Sequence, residues 1–380
     1  MAFICSDADP AMNHDWMRIE DEATALSPAL LIYPDRFEEN LRRMIALVGG
    51  PARLRPHIKT NKLPQVVARQ VALGVTCCKA ATIAEAEMAA RAGATDIIIA
   101  AQLVGPNVER LLALMRAFPA TAFATLVDDP AAAAAFDQAA RAAGTRIELL
   151  VDLDVGMART GIAPGPAAVE LYRAIAASPG LRPGGLHAYD GHLRQNAFAD
   201  RLAAAEEGIA RTDALRAELL GLGLPVPRVV AGGTPTFPVH ARRPDVECSP
   251  GTCVFSDASY ATQFPDLDFL HAAVLFTRVI SRPGRNRLCL DLGHKAVASE
   301  MPHPRAIFPA IPDARAVVHS EEHLVIETAR AADFPVGTAL YALPWHICPT
   351  VALHDRVQVM RGGRRVDEWP VVARARKLLF

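Results

Sequence analysis

The chain has no apolar run long enough to cross a bilayer as a helix, and residues 1–22 carry acids without a long apolar core. Neither a membrane span nor a signal peptide is therefore expected. It also has no excess of either charge: 40 Lys+Arg stand against 41 Asp+Glu, net −1, with no basic block. That balance sets aside nucleic acid and anionic membrane as partners. No CxxC pair occurs among the seven scattered cysteines, at 5, 77, 78, 248, 253, 289 and 348. An odd, dispersed set excludes a disulfide framework and fits a reduced, cytoplasmic chain whose cysteines mostly act as small buried hydrophobes. No GxGxxG follows the first apolar run, which speaks against a dinucleotide-binding fold. Nor does any segment have a disordered composition: hydrophobic residues make up 51% of 380, enough for two domains or one large barrel with an appendage.

What is present is a repeat of short apolar runs and alanine-rich helical patterns. Strand-like runs at 30–33, 52–58, 75–81, 96–101, 123–127, 147–153, 186–189 and 226–231 alternate with helical patterns beginning at 34 and ending at 222. Thr82 and Glu85 fit a capping box at one helix start. Such alternation implies a parallel sheet with crossover helices, and the number of runs fits a closed (β/α)8 barrel of TIM type better than an open sheet. After about residue 265 the texture changes to short strands between Gly/Pro turns, at 272–280, 287–292, 316–318, 324–328, 339–343, 356–361 and 366–368. This predicts a C-terminal all-β domain without regular helices, with Gly362-Gly363 as a hairpin turn. The expected division is a barrel over 25–262 and a β domain made of 1–24 and 263–380.

Unusual polar residues collect at the ends of the strand-like runs, where barrel enzymes keep their chemistry. Lys59 closes the run at 52–58, after His57. An isolated lysine is most often a solvated charge, but one that loses its proton can form a Schiff base. Gly232-Gly233-Thr234 follows the last run, at the place where barrels often bind phosphate. In Asp152-Leu153-Asp154-Val155-Gly156-Met157-Ala158-Arg159, the arginine either pairs with Asp152 and Asp154 or offers its planar fork to an outside anion. His187, Tyr189, Asp190 and His192 crowd another strand end, and His and Asp are the usual acid/base types. If the segment around 346 is extended, His346 and Cys348 share a face. An imidazole and a thiolate so placed suit a zinc-like ion whose other ligands are water or substrate, as in a catalytic site.

Taken together and in this order, these motifs resemble the D-threonine aldolase / D-serine dehydratase group over residues 25–375. These are pyridoxal phosphate (PLP) enzymes of fold type III with an alanine racemase-like N-terminal barrel. The resemblance implies that Lys59 tethers the cofactor, and that His57 and Arg159 lie beside it, the latter near its phenolic oxygen. By the same resemblance Tyr189 lines its pocket, Gly233 and Thr234 meet its phosphate, and the segment from Ser249 to Tyr260 supplies further cofactor contacts. It makes His346 and Cys348 ligands of a divalent metal (Zn, Mn, Mg or Co); the base expected beside them, Asp190 or His192, is this chain's own candidate and not one the resemblance supplies. The implied activity is a lyase on β-hydroxy-D-amino acids, foremost retro-aldol cleavage to glycine and an aldehyde. A D-serine or D-3-hydroxyaspartate dehydratase, giving a keto acid and ammonia, is the alternative. Aldolases of the group carry His-x-Asp at the metal pair and a histidine after the barrel tyrosine, where this chain has His-x-Cys and Asp190. Ser249, where alanine racemases place an arginine, argues against a racemase, and the β domain with His-x-Cys argues against a non-catalytic PLP carrier. Fold-III relatives imply a homodimer.

Overall fold

The structure, a computed structural model, describes residues 14–377. The chain divides into two compact units: residues up to Phe37 with His271–Pro370, and Glu38–Leu270 with the residues from Val371. In chain order the elements of the first stretch are β1 (Ala29–Ile32), α1 (Pro34–Val48), α2 (Pro64–Ala72), β2 (Cys77–Ala80), α3 (Ile83–Arg91), β3 (Asp96–Gln102), α4 (Pro106–Ala117), β4 (Ala122–Val127) and α5 (Pro130–Ala142). They continue with β5 (Ile147–Leu153), α6 (Pro166–Ala177), β6 (Leu181–Ala188), α7 (Phe198–Gly221), β7 (Val229–Ala231), α8 (Phe237–Ala241), β8 (Glu247–Cys248) and α9 (Ala258–Gln263). Proline opens α2, α4, α5 and α6, where its missing N–H costs nothing. Thr82 caps α3 by accepting from the Glu85 N–H at 3.1 Å, while the Glu85 carboxylate reaches back to the Ala81 N–H at 2.6 Å.

Strands β2 to β8 form one parallel sheet of seven strands in sequence order. The expected eighth strand, over 52–58, is not one. Turns of 3-10 helix at Pro51–Arg53 and Ile58–Thr60 flank it, and bridges Leu54↔Cys248 and His57↔Lys79 tie the residues between them to both sheet edges. Pro56 has no N–H for a ladder, which confines this segment to bridging. β8, only two residues long, is too short to stand out in the sequence. Period-two alternation sorts the strand side chains. Ile97, Ile99, Leu149, Val151 and Leu186 pack outward in the large core shared with the helices, whereas Ile98, Ala124, Leu126, Leu150 and Val230 form a separate inner cluster. At the strands' N-terminal ends Arg55 bonds Asp96 at 2.9 and 3.0 Å and Glu247 at 2.6 Å, while Arg228 joins Asp96 to Glu148.

The other unit carries β9 (Ala273–Ser281), β10 (Arg287–Leu290), β11 (Ala306–Ile307), β12 (Arg315–His319), β13 (Leu324–Glu327), β14 (Ala339–Pro344), α10 (Ile347–Leu353), β15 (Arg356–Arg361) and β16 (Arg364–Pro370). Its sheet is antiparallel except that β1 runs parallel to β15. The run at 30–33 thus belongs here and not to the barrel: β1 lies between β9 and β15, and its four apolar residues suit a strand covered on both faces. Gly362 and Gly363, both at positive φ, make the two-residue turn between β15 and β16. Contrary to an all-β expectation, α10 interrupts the strands. The reading that the chain's start packs on this domain falls partly on residues 1–13, outside the described residues; from 14 onward it holds, with the Ile19 N–H on the Tyr341 hydroxyl at 3.1 Å.

Candidate active site

The barrel unit gathers its polar residues at the strands' C-terminal ends. Lys59 lies half-buried in the 3-10 turn that ends the bridging segment, with His57 at its cap accepting from the Lys59 N–H at 3.5 Å. His57 is held neutral, well below its usual range, by burial and then by the charges of Lys59 and Lys79. On β2, β5 and β6 the outward residues are Cys78 and Ala80, Val151 and Leu153, Leu186 and Ala188. Alternation therefore turns Lys79, Asp152 and His187 inward, and they meet. The Lys79 Nζ is 3.2 Å from His187 Nε2, His187 Nδ1 is 2.6 Å from Asp152 Oδ1, and Thr160 donates to Asp152 Oδ2 at 2.9 Å. Burial, then Lys59, pushes the Lys79 amine down to about 7.

The loop after β5 is wound around Asp154, whose Oδ1 accepts from the N–H groups of Gly156 at 2.9 Å and Ala158 at 3.0 Å. Gly161 sits at φ +103, and a Cβ there would lie 2.5 Å from the Asp154 nitrogen, so only glycine closes this loop. Among the described residues neither Asp152 nor Asp154 makes an ion pair with Arg159. The arginine is exposed, its guanidinium 4.9 Å from the centre of the Tyr189 ring. The Tyr189 ring occupies the space that side chains would need at Gly191 and Gly233, where a Cβ would come within 2.1 and 3.0 Å. His192 is exposed, its imidazole lying against Gly156.

Asp190 has a different setting from the one its neighbours suggested. It is buried, accepting from the Thr236 hydroxyl at 2.6 Å through Oδ1 and facing His240 Nε2 at 2.7 Å through Oδ2. Burial opposes its ionisation, but His240 and Thr236 outweigh burial and hold the carboxyl below the usual range. Thr236 Oγ1 also accepts from the Gly233 N–H at 3.3 Å, so Asp190 ties down the Gly-Gly-Thr turn. Thr234 Oγ1 accepts from the N–H groups of Gly251 at 3.2 Å and Thr252 at 3.1 Å and lies 3.6 Å from Cys253 Sγ. The Ser249 hydroxyl donates to the Arg55 carbonyl at 3.0 Å. Tyr260 lies in α9, edge-on to Phe264.

These features fit a phosphorylated aldehyde. Lys59, Lys79 and Arg159 supply positive charge and an amine, and the glycines leave room for backbone donors to approach an anion. Lys79 and His240 were not singled out by the sequence. A lysine at an inward position of an otherwise apolar strand was the available signal for the first.

In the other unit, β14 ends at Pro344 and the chain turns so that His346 caps α10 and Cys348 lies in its first turn. The extended arrangement expected for this pair is therefore replaced by a cap and a helical residue. His346 keeps Nδ1 on the Glu300 carboxylate, which orients the ring. Among the described residues, no three His, Cys, Asp or Glu side chains group as a ready metal site. The donors offered are one imidazole and one thiol.

Comparison with known proteins agrees with this architecture. The family described as "Alanine racemase, N-terminal domain" matches residues 32–258, and "Putative serine dehydratase domain" matches 272–360. A D-threonine aldolase from an Arthrobacter species is 32% identical over 92% of each chain. The crystal structure of a D-threonine aldolase from Filomicrobium marinum superposes with a TM-score of 0.85 at 32% identity, over 94% of this chain and 98% of that one. The D-threo-3-hydroxyaspartate dehydratase of Delftia sp. HT23, a mutant of which is also solved in a metal-free form, gives 0.81 at 26% identity, over 92% of this chain and 98% of that one. No helix among the described residues is long and apolar enough to cross a membrane. The chain thus belongs to the alanine racemase N-terminal domain family and, within it, to the PLP-dependent lyases that join this barrel to a serine dehydratase-type domain.

Proposed function

We propose that the protein is a PLP- and metal-dependent lyase that cleaves β-hydroxy-D-amino acids to glycine and an aldehyde. The observation that supports this reading is that Lys59, the Arg159–Tyr189 pair and the Thr234 turn each follow the C-terminal end of a strand or bridging segment of the same sheet. Lys59 would tether the cofactor, Gly233 and Thr234 would hold its phosphate, and Arg159 its phenolic oxygen. Bound there, PLP supplies an electron sink for charge developing at Cα.

The chain's own groups do the rest. The Lys59 amine would hold or return a proton at Cα. His192, exposed at the loop beside Gly156, takes the β-hydroxyl proton as the Cα–Cβ bond breaks. Asp190 is assigned a positioning role, since both its oxygens serve Thr236 and His240. His346 and Cys348 would hold a divalent cation, with Glu300 fixing the imidazole, and such a cation supplies Lewis acidity toward a hydroxyl oxygen.

Dehydration to a keto acid and ammonia is the second reading. It is favoured by the cysteine at 348 and by the likeness to the Delftia dehydratase. Incubation with D-threonine, D-serine and D-3-hydroxyaspartate, with and without chelator, separates the two. Glycine and aldehyde without ammonia are expected; ammonia with keto acid selects the dehydratase. A protein that takes up no PLP, or takes it up equally as Lys59→Ala, overturns both.

A further inference from the structure

The barrel holds a second lysine facing the same end as Lys59, and nothing in the reaction above uses it. Its setting is specific. Lys79 is bridged in register to His57, two residues from Lys59, and is buried at 2% exposure. Its amine touches His187 Nε2 at 3.2 Å and lies 5.7 Å from the Tyr189 ring centre. Through His187 it is linked to Asp152, and through Asp152 to Thr160 in the loop that carries Arg159. A lysine buried only for structure is normally ion-paired directly to a carboxylate. Here an imidazole stands between amine and carboxylate, so the amine has a neutral partner and a route for its proton.

We propose that Lys79 is a positioning residue that sets the proton affinity of the nitrogen at Lys59, acting as a switchable positive charge relayed to Asp152 through His187. The inference rests on the reading that PLP is tethered at Lys59. Two cationic nitrogens in one low-dielectric site each disfavour the other's proton. The groups that face Lys79 divide by sign. Lys59 and Arg55 oppose its charge, as Asp152 and Asp190 favour it. His57 and His187 are pressed toward the neutral form by burial first, with Lys79 adding to it, and Arg159 acts on His187 in the same sense. Burial and these neighbours together lower the Lys79 amine to about 7, and the bridge to His57 sets it in register two residues from Lys59.

The test is the pH titration of the visible absorption of PLP bound to the full-length protein. In Lys79→Met the midpoint is expected to rise by about one pH unit or more, because a repelling charge is gone. In Lys79→Arg, whose charge is permanent, it is expected to stay at or below the wild-type value. A Lys79→Met midpoint within 0.2 units of wild type overturns the proposal, and a melting curve shows whether that variant is folded. A purely structural lysine would alter melting without moving the midpoint in opposite senses. A wild-type protein with no visible band at Lys59 removes the underlying reading and the proposal with it. That outcome is distinct from a normal band that ignores Lys79.

Discussion

Asp190 and Lys79 show how one residue's surroundings decide what it can do. Asp190 sits in a motif that reads as acid/base machinery, yet both oxygens are spent on Thr236 and His240. Asp190→Asn is expected to lower stability by about 2 kcal/mol or more at pH 7, since a buried charge-assisted contact is broken. Because the native carboxyl is held below its unfolded value, its contribution is full above about pH 4 and lost as pH falls through the native value. The gap between variant and wild type should therefore close in acid melts. Lys79 carries the opposite sign. Its native value of about 7 lies below the ordinary lysine value of 10.5, so the unfolded chain binds the extra proton and burial is penalised below pH 7. Wild-type stability should rise between about pH 7 and 10. Lys79→Met should melt higher than wild type at pH 6, by up to about 5 kcal/mol on linkage grounds, and the gain should vanish by pH 10.

At the scale of elements, the two ends of the barrel strands divide the labour. The C-terminal ends carry Lys59, Arg159, Tyr189 and Thr234, and that position was legible because each follows an apolar run with a polar group. The partner shell was not legible: His240 lies in a five-residue helix, and the register that brings Lys79 to His187 joins positions 108 apart. The strand expected at 52–58 was misread because its apolar residues suggest a ladder that Pro56 prevents. The hairpin at Gly362-Gly363 and the cap at Thr82 were legible because both are purely local devices. At the N-terminal ends, Arg55 is 1% exposed and its charge is sustained, against burial, by Glu247 and Asp96. It ties the bridging segment to β3 and β8. Arg55→Met leaves Glu247 without its partner and Asp96 with Arg228 alone, and is expected to cost roughly 3–5 kcal/mol in denaturant unfolding. A cost under about 1 kcal/mol would show that the network does not hold the segment.

At the scale of the whole molecule, chain order and compact unit do not coincide. The β unit takes residues 14–37 and 271–370, and the chain then returns to the barrel unit at Val371. The return is anchored: Ala373, 1% exposed, belongs to the large core of the barrel, and Arg110 donates to the Arg376 carbonyl at 3.0 Å. The expectation that residues after 262 all serve the β domain misses this, since a run such as Val371-Val372-Ala373 reads equally well as a final strand. Placing a carboxylate there distinguishes the two assignments. Ala373→Asp buries an unpaired charge in the barrel core, and a loss of about 3 kcal/mol or more is expected in urea unfolding. The site of the damage is the sharper reading. Hydrogen exchange should quicken in α3, against which residues 372–375 pack, before it quickens in β15 and β16, which end just upstream. Faster exchange in β15 and β16 with α3 unchanged would mean that the last residues support the β unit instead.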